Sequence, residues 1–78
     1  MTSKQLGKTV IFHRKKSKLT QKQLADLAGV GKTVVFDIEK GKETVQLNTL
    51  LKVLSVLNIK LEIKSPLMYL MEKQNEEG

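Results

Sequence analysis

The stretch from Thr20 to Gly41, TQKQLADLAGVGKTVVFDIEKG, constrains this chain more than any other, because residues with few structural alternatives mark its ends and its middle. Thr20 followed three positions later by Gln23 is a capping box: the two side chains satisfy orphan backbone donors reciprocally, so a helix starts here. Leu24, Leu27 and Ala28 recur at i, i+3 and i+4 with Ala25 beside them, which makes one face apolar and leaves Gln21, Lys22 and Asp26 wet. Gly29 can take the positive φ that a helix C′ position asks for. Val30 is a lone apolar residue suited to plug the turn, and Gly31 is an acceptable N-cap for a second helix. That helix turns Val35 and Ile38 inward, presents Lys32, Thr33, Phe36 and Asp37 outward, and ends at Gly41.

Two short helices joined at Gly29, Val30 and Gly31 match the glycine-containing joint of a helix-turn-helix. The segment LTQKQLADLAGVGKTVVFDIEKGK carries Leu19-Thr20-Gln21, Leu24-Ala25, Gly29-Val30, Val35, Ile38-Glu39 and Gly41. On these residues it resembles the Cro/Xre-type, lambda-repressor-like helix-turn-helix domain, over about Leu6 to Leu57. Continuing into TVQLNTLLKVLSVLNIKLEI, the chain is similar to the HipB-like antitoxins, which add a strand after the last helix. The resemblance implies a mainly α fold of four to five short helices with one C-terminal β-strand that pairs across a homodimer. It also implies that an arginine in the first helix pairs with a glutamate near the end of the reading helix, and Arg14 and Glu39 stand at those positions.

With 78 residues the chain makes one domain at most. A chain this short buries only about 60% of its unfolded surface, so stability borrowed from a dimer is expected. There is no cysteine, so neither disulfides nor thiolate metal sites are available, and an oxidising compartment is not needed. Lys4, Lys8 and Arg14 interrupt any signal-peptide core near the start, and the most apolar stretch, Leu50 to Ile63, is broken by Lys52, Asn58, Lys60 and Glu62. No membrane span is predicted, and a bacterial cytoplasmic, nucleoid-associated location fits. The net charge of +6 is unevenly spread: residues 1–42 hold 10 of the 14 basic side chains and 3 of the 8 acidic ones. A basic half built around a reading helix points to duplex DNA as the polyanion partner.

Ser3 can cap a first helix running to about Lys16, in which Leu6, Val10, His13 and Ser17 line one stripe and Gly7 permits close packing. A metal role for the single histidine is disfavoured, since no second histidine or cysteine completes a site, and no metal or other cofactor is expected. Phe12 lies about 200° around the helix from Val10 and so points away from the core. After a connecting loop, a helix from about Leu47 to Leu57 puts Leu47, Leu50, Leu51, Leu54 and Leu57 on one stripe, and Val53 and Val56 widen the apolar surface toward a dimer interface. Asn58 ends it. Ile59, Leu61 and Ile63 then alternate with Lys60, Glu62 and Lys64, as a strand with one dry face would. Such a strand needs a partner, either its own copy across a two-fold axis or another protein by strand addition. Ser65-Pro66 reads as a break or the start of a short final helix with Leu67, Met68, Leu70 and Met71 as adaptable apolar surface, and Glu72 to Gly78 as a fraying polar end. The organisation expected is therefore a DNA-binding domain over 1–58, a dimerising strand over 59–64 and a short helix or tail over 65–78.

In the resembling family the second motif helix lies in the major groove, its N-terminal residues facing base edges. Lys32 can donate to guanine, Thr33 can hydrogen-bond or touch a thymine methyl, Phe36 can cover a thymine methyl and Asp37 can accept from a cytosine amino group. Each has a plainer alternative: Lys32 on phosphate alone, Phe36 packed on the preceding helix, Asp37 orienting Lys40. Thr20 and Gln21 sit at the positive end of the first motif helix, a place suited to phosphate, and Gly31's amide, Lys40 and Lys42 flank the other side. No arrangement of carboxylates, glycine-rich loop or nucleophile triad suggests an enzyme. The resemblance implies two compatible functions, a homodimeric autorepressor and the antitoxin of a HipA-like serine/threonine kinase encoded beside it; the alternative is a free-standing phage-type repressor.

Overall fold

The computed structural model describes residues 1–77, with five helices in chain order: α1 (Ser3–Lys16), α2 (Gln21–Ala28), α3 (Lys32–Lys40), α4 (Leu47–Val56) and α5 (Met68–Glu77). The first four build one body. Val10, Leu24, Ala25, Val35, Ile38, Val53, Leu54 and Leu57 form its core, and α3 packs between α1 and α2 while α2 leans on α4. The radius of gyration is 14.8 Å, whereas a compact chain of this length would have about 11–12 Å. The excess fits a body with a projecting arm, formed by the residues after Asn58.

Local chemistry explains the helix ends. At α1 the N-cap is Thr2 and not Ser3: Thr2 Oγ1 accepts from the Gln5 amide at 3.1 Å and Gln5 Oε1 accepts from the Thr2 amide at 2.8 Å. A cap at Ser3 would have placed Leu6 at the third helical position, where no side chain could complete the box. The Thr20/Gln23 box forms with bonds of 3.0 and 2.9 Å. Gly29 and Gly41 close α2 and α3 with φ of 70° and 83°. Gly7 serves close approach: a β-carbon there would lie 2.6 Å from the Ile38 carbonyl oxygen and 2.8 Å from that of Glu39.

Several expected faces are rotated. Leu27 is exposed, because the inward face of α2 is centred between Leu24 and Ala25 and Leu27 lies about 110° from that centre. Ser17 is the exposed C-cap of α1 and lines nothing. On the α4 side Val53, Leu54 and Leu57 are buried and Leu50 is half-buried against them. Val53 is therefore a core residue and not a dimer contact, and Val56 is half-buried against the same core. Leu47 and Leu51, expected in the core, are 63% and 44% exposed. A helix apolar on most sides takes the phase of its buried face from its neighbours, which here select the Val53 and Leu54 side.

The strand expected over Ile59 to Ile63 is not formed; no strand occurs among the described residues. A single chain offers this segment no second edge to bond to, so it forms no ladder of its own. Ile59 folds back, its amide donating to the Leu54 carbonyl at 2.9 Å, while Leu61 and Ile63 are exposed. The tail departs from expectation in the other direction. Helix α5 runs to Glu77, past Glu72. It is preceded by a turn in which Ser65 accepts the Leu67 amide through Oγ and the Met68 amide through its carbonyl, each at 3.3 Å. Gly78 lies outside the described residues.

Candidate nucleic-acid interface

Helix α3 is held from behind and open in front. Val35 and Ile38 are buried, Val34 is half-buried, and Lys32, Thr33, Phe36 and Lys40 are exposed. On a helix of 3.6 residues per turn Lys32, Phe36, Lys40, Thr33 and Asp37 fall within about 140°, so all five expected contact residues of this helix share one face. Lys40 belongs to the middle of that face. Its Nζ stands 5.0 Å from the centre of the Phe36 ring, so a cation covers one side of that ring. Asp37 pairs with Lys42 at 3.4 Å and not with Lys40. Its half-buried carboxylate thus orients the lysine just past Gly41.

The angle of α3 is set by the Arg14–Glu39 pair. Arg14 Nε donates to Glu39 Oε2 at 2.6 Å and Nη2 donates to Oε1 at 3.0 Å, a bidentate contact, while Nη1 donates to the Leu19 carbonyl at 2.9 Å. Gln21 Nε2 adds a third donor to Glu39 Oε1 at 3.1 Å. The side chains are 13% and 5% exposed. Donating to Glu39 raises the Arg14 pKa, burial works against it and the carboxylate charge adds to the rise, so the guanidinium stays charged. One cluster thereby ties α1, the start of α2 and the end of α3 together. It also commits the Gln21 side chain, leaving chiefly its backbone amide for an anion, and the Thr20 hydroxyl is likewise engaged by the Gln23 amide.

Gly31 caps α3 with no side-chain bond, so the first amides of the helix point outward beside Lys32, an arrangement that suits an anion. A polar rim lies beyond Lys42, outside the residues expected at the interface. Thr44, Gln46 and Thr49 line a shallow depression with Val34, Asp37, Lys42 and Val45. The available signal is Gln46 as N-cap of α4, a residue that forms no side-chain cap, while Asn48 Oδ1 accepts the Thr49 amide at 2.8 Å. The residues expected at a dimer interface do not all meet. Val53 is in the core, whereas Leu61 and Ile63 join Met1, Leu47 and Leu51 around an exposed apolar depression. Among the described residues no cluster of His, Cys, Asp or Glu could hold a metal ion, and no helix is long and apolar enough to cross a membrane.

Comparison with known proteins agrees with this geometry. The family profile described as helix-turn-helix matches residues 13–64. The chain is 38% identical over 65 residues to the uncharacterized HTH-type transcriptional regulator y4mF of Sinorhizobium fredii, covering 83% of this chain and 86% of that protein. It is 43% identical over 58 residues to an uncharacterized HTH-type transcriptional regulator of Haemophilus influenzae, covering 74% of this chain and 59% of that protein. In fold it is similar to a chain in the structure of a HipA-HipB-O2-O3 complex, with a TM-score of 0.75 at 21% identity over 85% of this chain and 93% of that one. The chain belongs to the Cro/Xre-type helix-turn-helix family of transcriptional regulators.

Proposed function

We propose that this protein is a homodimeric, sequence-specific DNA-binding repressor of its own operon and the antitoxin of a HipBA-like type II toxin-antitoxin system, with a HipA-like serine/threonine kinase as its protein partner. The observation that carries the DNA half is the free face of α3, anchored behind by Val35 and Ile38 and fixed in angle by Arg14 and Glu39. Lys32 and Thr33 lie in the first turn, where base edges are reached in this family; Phe36 under Lys40 offers an apolar surface to a thymine methyl. Asp37 acts mainly by holding Lys42 toward phosphate. The amides of Gln21 and Gly31, with Lys40 and Lys42, bind the backbone on either side of the groove, and Thr20 fixes the helix start that aims the first of them.

The dimer is proposed to form through the arm. If Ile59 to Ile63 pairs antiparallel with its own copy about Leu61, then Ile59 opposes Ile63, Leu61 opposes itself, and Lys60 opposes Glu62 of the second copy. The donors and acceptors on the edge that faces the second copy then find partners, and opposite charges face each other on the wet side. The division into 1–58, 59–64 and 65–78 and a bacterial cytoplasmic location belong to the same reading. The antitoxin half is supported by the fold shared with a chain of a HipA-HipB complex, and the second reading, a free-standing phage-type repressor, keeps every statement about α3.

The test is fluorescence anisotropy on the gene's own upstream DNA and on scrambled DNA, at 50 and 200 mM salt, with Lys32→Ala/Thr33→Ala alongside. With roughly four phosphates neutralised per subunit, a log-log salt slope of about −7 is expected, with promoter selectivity lost in the variant. Half-sites should lie about 34 Å apart. Equal weak binding to both DNAs would overturn the reading-helix assignment.

A further inference from the structure

The basic charge of this protein has a second pole that DNA reading does not use. Helix α1 carries no Asp or Glu in fourteen residues, and Lys4, Lys8, Lys15 and Lys16 are all exposed. Among the described residues none of these four lysines meets a carboxylate, since the ion pairs use Arg14, Lys22, Lys42 and Lys64. Lys4 and Lys8 stand one turn apart, so like charges repel along the helix. In their midst Phe12 is 57% exposed, with Lys16 Nζ 5.6 Å from its ring centre. Lys8, Ile11, Phe12, Lys15 and Lys16 line one shallow apolar-floored depression.

Direction decides what this face can meet. The opposite side of α1, at Gly7 and Val10, is pressed against α3 and the core, so the Phe12 face looks away from the reading helix. A phosphate backbone has nothing to offer a phenyl ring, and a ring ringed by lysines suits a surface that is apolar at its centre and acidic at its rim. We infer that the outer face of α1 is the docking surface for the toxin, whose contact surface is an apolar cleft bordered by carboxylates. This rests on the antitoxin reading above and deepens it. Phe12 inserts as the aromatic anchor, and Lys8, Lys15 and Lys16 pair with the acidic rim, so that toxin and operator occupy separate faces and bind together.

The test uses the full chain and the purified HipA-like kinase that the antitoxin reading requires to be encoded beside it, titrated calorimetrically at 50 and 200 mM salt. Phe12→Ala and Lys8→Gln/Lys15→Gln are compared with wild type, folding is checked by circular dichroism, and promoter affinity and dimer mass are measured in parallel. Removing the anchor should weaken toxin binding about 30-fold and removing the two charges about tenfold with a flatter salt dependence, while promoter affinity changes less than about fivefold and the dimer persists. Toxin affinity unchanged in both variants would overturn the docking surface and leave the antitoxin reading standing. A parallel fall in promoter affinity would reassign the face to nucleic acid, and loss of the dimer would reassign it to a second copy. No binding of the gene product by wild type would overturn both this inference and the antitoxin reading.

Discussion

Replacing Glu39 by alanine tests whether the ion pair is the strut that aims the reading helix. Glu39 receives three donors, two from Arg14 and one from Gln21, and is 5% exposed. Its removal leaves a guanidinium that is 13% exposed with only the Leu19 carbonyl as protein acceptor. Breaking a buried pair on one side costs about 3–5 kcal/mol; the surviving Leu19 bond and the partial exposure of Arg14 put the expected loss near the lower end, at about 3 kcal/mol. Against a total of roughly 4–12 kcal/mol for a chain of this size, that lowers Tm by about 12–24 °C. The Arg14 pKa is raised in the fold, so its share of stability is complete at every pH below the ordinary arginine value and fades only as pH climbs through the raised one. The loss measured at neutral pH should therefore show no dependence on pH from this group. Thermal unfolding of wild type, Glu39→Ala and Arg14→Met/Glu39→Leu separates stability from aim. The apolar pair should recover most of the Tm, since buried pairs often give way to hydrophobic ones without loss, yet should not recover promoter affinity. A Glu39→Ala protein that melts within a few degrees of wild type and binds promoter normally would refute the strut.

Gly7→Ala sets the new β-carbon against two backbone oxygens of α3 at 2.6 and 2.8 Å. Despite alanine's better helix propensity, a net loss of about 1–2 kcal/mol in urea unfolding is expected, and equal or higher stability would show that α1 and α3 can part freely. Lys60→Glu alone places like charges across both symmetric positions of the proposed strand pair and should weaken the dimer about three- to tenfold, as read by sedimentation equilibrium. Lys60→Glu with Glu62→Lys should restore it, and failure of the double variant to do so would reject the register about Leu61.

The helix-turn-helix half was legible because its signals are stereochemical. A box such as Thr20/Gln23 and glycines that adopt positive φ at 29 and 41 leave little choice about where helices start and stop. With the ends known, Val35 and Ile38 follow as the inward face of α3. What the pattern could not resolve were choices between near neighbours. Thr2 and Ser3 are both good caps, and only Gln5, three residues after Thr2, decides between them. Asp37 has Lys40 one turn on and Lys42 just past the helix; the backbone reversal at Gly41 brings the second closer. Leu27 looks like a core residue by spacing, but short helices leave apolar residues at the edge of the buried arc, and the packing of α2 between α3 and α4 sets where that arc ends.

Leu47, Leu50, Leu51, Val53, Leu54, Val56 and Leu57 encircle most of α4, more apolar surface than a four-helix body of this size can cover. Packing took the Leu50, Val53, Leu54 and Leu57 side and left Leu47 and Leu51 out. Those two residues border the same depression as Leu61 and Ile63, which belong to the segment whose backbone finds no partner in one chain. Unsatisfied apolar area and unsatisfied backbone therefore coincide on one side of the molecule. Two independent deficits at one place are better met by one second strand and its attached helix than by two unrelated partners. The proposed homodimer would therefore cover Leu47 and Leu51 of α4 together with the alternating residues of the arm in one interface.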